Sequence, residues 1–167
     1  MDIGLESLRW AVPIGIGATL LMDGWAWLQN RLLATPSLDY ALVGRWIGHL
    51  ARGKLSHPSI AKAAPIRGEA WLGWSVHYLI GILFAALLLA VAGPEWARRP
   101  TLAPALLTGA LTLAAPFLIL QPGMGAGLAA RNTPQPNAAR LRSLSAHMSF
   151  GIGLYASAGM LCALAPF

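Results

Sequence analysis

The polar and apolar positions of this chain fall into blocks rather than into a short period. Apolar residues dominate 10–28, 71–92, 102–120 and 144–167. Each block is close to the roughly 20 residues a helix needs to cross a hydrocarbon core about 30 Å thick. Polar sequence fills 31–68 and 123–142, and a short connection covers 93–100. The pattern predicts an all-α polytopic membrane protein, a bundle of four transmembrane helices forming a single transmembrane domain over 1–167. Within the first long connection, Leu38, Leu42, Trp46 and Leu50 recur at helical spacing behind Pro36-Ser37. That run is too short and too polar to span, so it predicts an amphipathic helix in the membrane interface, with Ser37 as its N-cap. Gly93-Pro94 ends the second block, and Glu95 to Pro100 reads as a tight turn. Pro116 is expected to kink the end of the third span, and Gln121-Pro122-Gly123 to terminate it.

Composition agrees with the blocks. Hydrophobic residues make up 56% of the chain, charged residues 11%, and the mean hydropathy is +0.58. Soluble domains carry roughly 25% charged residues. The net charge is +6, which in a soluble chain would raise nucleic acid as a partner. Here the cations sit in connections, so lipid headgroups and topology explain them and nucleic acid is not expected. Arg31, Arg45, Arg52, Lys54, Lys62, Arg67, Arg131, Arg140 and Arg142 lie on the side of the two long loops; Arg9, Arg98 and Arg99 lie on the other. The positive-inside rule then places the long loops in the cytoplasm and both termini in the periplasm of a bacterial inner membrane. The first block is read as a retained helix, since no basic n-region precedes it. Cys162 is the only cysteine, so neither an internal disulfide nor a thiolate metal cage can form. The tryptophans read as interfacial anchors.

Against this background five polar side chains stand out. Asp23, Glu69, His77, Gln121 and His147 all fall towards the long-loop ends of their spans, forming one polar layer in the cytoplasmic leaflet. Ionisable groups inside a membrane cost about 2.5–3.5 kcal/mol even on the mild insertion scale, so they default to functional candidates. Each also has a plainer reading. Asp23 can snorkel or bond an indole, His77 can be a satisfied packing residue, and Glu69 can pair with neighbouring Arg67. His49 and His57 are read as solvated loop residues. Asp23, His77 and His147 are the only candidates for a metal site, and three ligands are too few to define one. H-E-x-x-H and C-x-x-C-H are absent, so haem or a divalent metal has no fingerprint here. Arg67, Arg131, Asn132 and Arg140 are candidates for contact with an anionic headgroup or substrate. The motif S-x-H-x-x-x-G-I occurs at Ser75–Ile82 and again at Ser145–Ile152. Its recurrence predicts two related helix hairpins, in which each glycine either clears space beside the histidine ring or admits a neighbouring helix.

The segments A-T-L-L-M-D-G-W (18–25), P-S-L-D-Y-A-L-V-G-R-W-I-G-H (36–49), R-G-E-A-W-L-G-W-S-V-H-Y (67–78), Q-P-G-M-G-A-G (121–127) and A-R-L-R-S-L-S-A-H (139–147) resemble the bacterial membrane-protein family DUF2938, a domain of unknown function. The resemblance implies a small polytopic inner-membrane protein and carries no activity, cofactor or catalytic residue. Three functions stay open on the sequence. One is transport of a proton, cation or small polar solute through the His/Asp layer, with pairing of two copies expected for so small a chain. Another is a membrane-embedded enzyme or redox protein acting on a lipid-soluble substrate. The third is a non-catalytic assembly or regulatory subunit.

Overall fold

In the computed structural model, residues 3–164 are described, with side chains from Leu8 onward. Helix α1 runs Ile3–Leu33, α2 Tyr40–Leu50, α3 Glu69–Ala92, α4 Glu95–Arg98, α5 Leu102–Thr112, α6 Gln121–Met124 and α7 Pro136–Leu164, with no strand among the described residues. Four helical stretches are long and apolar enough to cross a membrane: Leu8–Leu33, Glu69–Ala92, Leu102–Met124 and Pro136–Leu164. The 24 residues of α3 reach about 36 Å. Large apolar side chains such as Leu83, Leu87, Val91, Leu107 and Leu111 are exposed along these helices. In water such a surface would drive association; in a bilayer it faces lipid of the same polarity.

The helices are longer than the apolar blocks because polar turns extend them. Helix α7 begins at Pro136, where proline at the first position loses no needed hydrogen bond. The third span does not stop at Gln121-Pro122-Gly123. Pro116 has no N–H to give, and the helix widens into a π turn over Pro116–Leu120, with the Gln121 N–H bonded to the Pro116 carbonyl. It then continues through α6 and closes at Gly125, whose φ of 99° suits glycine. The expected tight turn at 95–100 contains the short helix α4.

The chain divides into two compact units. One comprises 1–36, 78–112 and 146–167. Its core is built from Ala11, Ile14, Ala18, Ala85, Leu88, Leu89, Ala105, Phe150, Leu154 and Ala158, with Trp10 and Trp96. Small residues let the helices meet backbone to backbone. A Cβ on Gly15 would run into the backbone of Gly81 and Ile82, and one on Gly109 into the His147 carbonyl and Gly151. Each glycine of the recurrent motif therefore admits a neighbouring helix. The two crossings correspond, α1 on α3 and α5 on α7. Thr19 and Thr112 mark them alike, each hydroxyl bonding the carbonyl of the crossing glycine, Gly15 at 2.8 Å and Gly109 at 2.7 Å.

The other unit comprises 37–77 and 113–145. Helix α2 is capped by Asp39 rather than Ser37, because the Asp39 carboxylate accepts from the Ala41 N–H at 2.9 Å. It crosses the first turns of α3 at another glycine contact: a Cβ on Gly44 would strike the Glu69 carbonyl, and one on Gly73 the Tyr40 carbonyl. Trp46 is buried, donating to the Leu55 carbonyl at 3.0 Å with its indole against Gly123. Trp10, Trp46 and Trp96 are thus core residues, a correction to reading every tryptophan as an anchor; Trp25, Trp27, Trp71 and Trp74 are exposed.

Candidate functional site

In the unit built from the four long helices, two of the predicted polar residues meet hydroxyls. The Tyr78 hydroxyl on α3 donates to Asp23 Oδ2 on α1 at 3.1 Å. The Thr112 hydroxyl spends its proton on the Gly109 carbonyl, so its oxygen accepts from His147 Nδ1 at 2.8 Å. Both contacts tie a titratable group on one span to a hydroxyl on its neighbour. Asp23 and His147 are only partly buried, and Thr112 is buried.

The loop unit holds the rest. His77 lies against Tyr40, ring centroids 4.2 Å apart, and Tyr40 in turn lies 4.4 Å from Trp74. This packing follows from Trp74 and His77 being three apart on α3, hence on one face. Gln121 donates from Nε2 to Ser143 Oγ at 3.2 Å, while its Oε1 is buried and has no partner among the described residues. Glu69 does not pair with Arg67, which is exposed. Its carboxylate takes Arg45 in a two-point fork, Nε to Oε2 at 2.9 Å and Nη2 to Oε1 at 2.7 Å, and also accepts from the Ile66 N–H at 3.0 Å. The bond to Glu69, and the nearby charges of Glu69 and Asp39, hold the Arg45 guanidinium above its already high ordinary value despite the opposing cost of burial. Arg45 further donates to the carbonyls of Ile60, Ala61 and Ala63. One side chain thus organises the connection between α2 and α3.

Of the residues expected to meet an anionic group, Arg67, Arg131 and Asn132 are exposed. Arg140 is engaged within the protein, donating from Nε to the Ala129 carbonyl at 2.8 Å and from Nη1 to Asn137 Oδ1 at 3.1 Å. Ala129 and Ala130 carry positive φ values of 46° and 60°, a strained turn for alanine. Arg140 pins that turn by its carbonyl.

His49 and His57 are expected from the sequence to be solvated, yet His57 is only 4% exposed. His57 Nε2 lies 3.2 Å from His49 Nδ1, the rings nearly perpendicular, and His49 Nε2 lies 2.9 Å from the Ala64 carbonyl. The available signal was Gly53: its φ of 79° ends α2 in a left-handed turn, folding the chain back on the last turn of α2. The His57 N–H then binds the Gly123 carbonyl at 3.0 Å. No group of three or more His, Cys, Asp or Glu side chains that could hold a metal ion occurs among the described residues, so Asp23, His77 and His147 do not come together as a ligand set.

Four apolar helices with hydroxyl-partnered polar groups define an all-α polytopic membrane protein. More particularly, the family model described as protein of unknown function (DUF2938) matches residues 12–161, most of the chain, and the chain belongs to that family. No curated protein and no solved structure matches it.

Proposed function

We propose that the protein is a small transport protein of the bacterial cytoplasmic membrane, moving protons, a cation or a small polar solute past His and Asp groups in its inner leaflet. One observation carries the reading. Asp23 and His147 each meet a hydroxyl of a neighbouring span, Tyr78 at 3.1 Å and Thr112 at 2.8 Å. A hydroxyl both donates and accepts, so a carboxylate or imidazole beside one can take up and pass on a proton. Carrying such groups inside apolar spans costs free energy that a purely structural bundle would avoid. The excess of cations in the long loops supports a cytoplasmic location for those loops, against anionic headgroups. So few spans leave little protein around a pathway, which favours two copies acting together.

The test is reconstitution into proteoliposomes with an internal pH-sensitive dye. Wild type should dissipate an imposed pH gradient, and Asp23→Asn and His147→Ala should each slow it by roughly tenfold or more, the lower end of what positioned proton-transfer groups contribute. Wild-type rates no faster than empty vesicles would remove protons as the cargo, and unchanged rates in both variants would remove Asp23 and His147 as the path.

A further inference from the structure

We propose that the loop unit is a seat for anionic lipid headgroups, drawing negatively charged lipids to itself in preference to zwitterionic ones. The charge of the chain is not spread over the molecule. Eight of its twelve cations and two of its six acids fall within 37–77 and 113–145, a net of +6. The four cations and four acids of the other unit cancel. Both acids of the loop unit are also spent inside it. Glu69 takes the Arg45 fork and the Ile66 N–H, and Asp39 takes the Ala41 N–H that starts α2. Arg52, Lys54, Lys62, Arg67, Arg131 and Arg140 are exposed, with no uncommitted carboxylate among the described residues of their own unit.

The fold gathers these cations from distant parts of the sequence. The His57 N–H binds the Gly123 carbonyl at 3.0 Å, and a Cβ on Gly125 would strike the Pro58 carbonyl, so the two long connections pack on each other. Arg140 reaches the Ala129 carbonyl, two residues from Arg131. Positive charge thus accumulates on one compact body, where like charges repel unless an outside anion offsets them. The positive-inside rule counts lysine and arginine and gives acids little weight, so it does not require the carboxylates to be withdrawn as they are here. Apolar neighbours decide which anion fits. Exposed Leu55 follows Lys54, exposed Leu141 lies between Arg140 and Arg142, and exposed Leu128 precedes Arg131 by three residues. A cation beside an exposed leucine suits the boundary of headgroup and acyl chain, which satisfies both. A nucleic acid would answer the charge alone.

The proposal needs no cargo and stands apart from the transport reading. Its test is tryptophan quenching in vesicles of equal parts phosphatidylglycerol and phosphatidylcholine, with the acyl chains of one lipid brominated at a time. Trp71 and Trp74, both exposed in the loop unit, report which lipid lies nearest. Brominated phosphatidylglycerol should show a preference of about twofold or more. That is below the roughly fivefold that one cation near an anionic surface supplies, because most lipids around the spans touch no cation. Combining Arg52→Gln, Lys54→Gln, Lys62→Gln and Arg67→Gln should abolish the preference, and Arg98→Gln with Arg99→Gln, in the neutral unit, should keep it. Equal quenching by the two lipids overturns the proposal and leaves an acidic soluble protein as the occupant. Equal loss in both sets of variants overturns the assignment to the loop unit. Should the fourfold variant fail to fold, a salt series on wild type decides: screening at about 1 M salt must remove the preference, and an unchanged preference overturns the proposal.

Discussion

Arg45 and Glu69 meet as a planar fork, two nitrogens against two oxygens at 2.9 and 2.7 Å, with only 14% and 17% of their side chains exposed. Such two-point pairing fixes orientation as well as distance. Because Arg45 also gathers three carbonyls of the 60–63 turn, the fork holds α2, the following turn and the start of α3 in one arrangement. Glu69→Ala should therefore expose the 51–65 connection to limited proteolysis in detergent, and Arg45→Lys should do so almost as strongly because lysine cannot make the fork. Arg67→Ala should cut like wild type. Equal cleavage of Glu69→Ala and Arg67→Ala would show that the fork holds nothing.

The glycine crossings predict a contrast between chemically identical changes. Gly15→Ala and Gly109→Ala place a methyl group against a neighbouring backbone and should each cost about 1–3 kcal/mol. Gly24→Ala and Gly159→Ala, where a methyl meets nothing, should be neutral or stabilising by up to about 1 kcal/mol through helix propensity. Thermal unfolding in detergent, followed by circular dichroism, ranks the four.

At the α5–α7 contact, Thr112→Val removes the acceptor for His147 Nδ1 while keeping the shape. The buried side of that contact should lose about 1–3 kcal/mol. Thr112→Ser keeps the oxygen and should retain most of the stability. A valine variant as stable as the serine variant would mean that the imidazole is satisfied some other way.

Topology has a direct measurement, because Cys162 is the only cysteine and its Sγ donates to the Ala97 carbonyl at 3.0 Å. In a Cys162→Ser background, a cysteine introduced at Arg99 should react with a membrane-impermeant maleimide on intact cells, and one introduced at Ser56 only after lysis. The reverse pattern would invert the proposed orientation.

Much of the architecture was legible because transmembrane helices announce themselves by length: the blocks at 71–92 and 102–120 became α3 and the third span with only their ends moved. Ends are set by local chemistry that hydropathy does not register. Asp39 outcompeted Ser37 as a cap because its carboxylate reaches the Ala41 N–H, and Pro116 produced a wider turn instead of an end. Asp23 and His147 were legible as costly groups in apolar helices, but Tyr78 and Thr112 were not, since a hydroxyl matters only through what it faces. His57 went unrecognised for a related reason. A polar residue in a polar stretch gives no hydropathy signal, and its burial depends on the Gly53 turn and on Gly123 from a distant part of the chain.

The glycine-to-backbone crossings of α1 on α3 and α5 on α7 carry a mechanical consequence. Where two helices touch through main chain, neither can rotate or slide without colliding, and no flexible side chain lies between them to absorb the movement. Each hairpin is then a rigid lever with its polar group fixed at one height. Under the proposed transport function, a path would open by tilting whole levers, and a cross-link joining α1 to α3 should leave that movement intact.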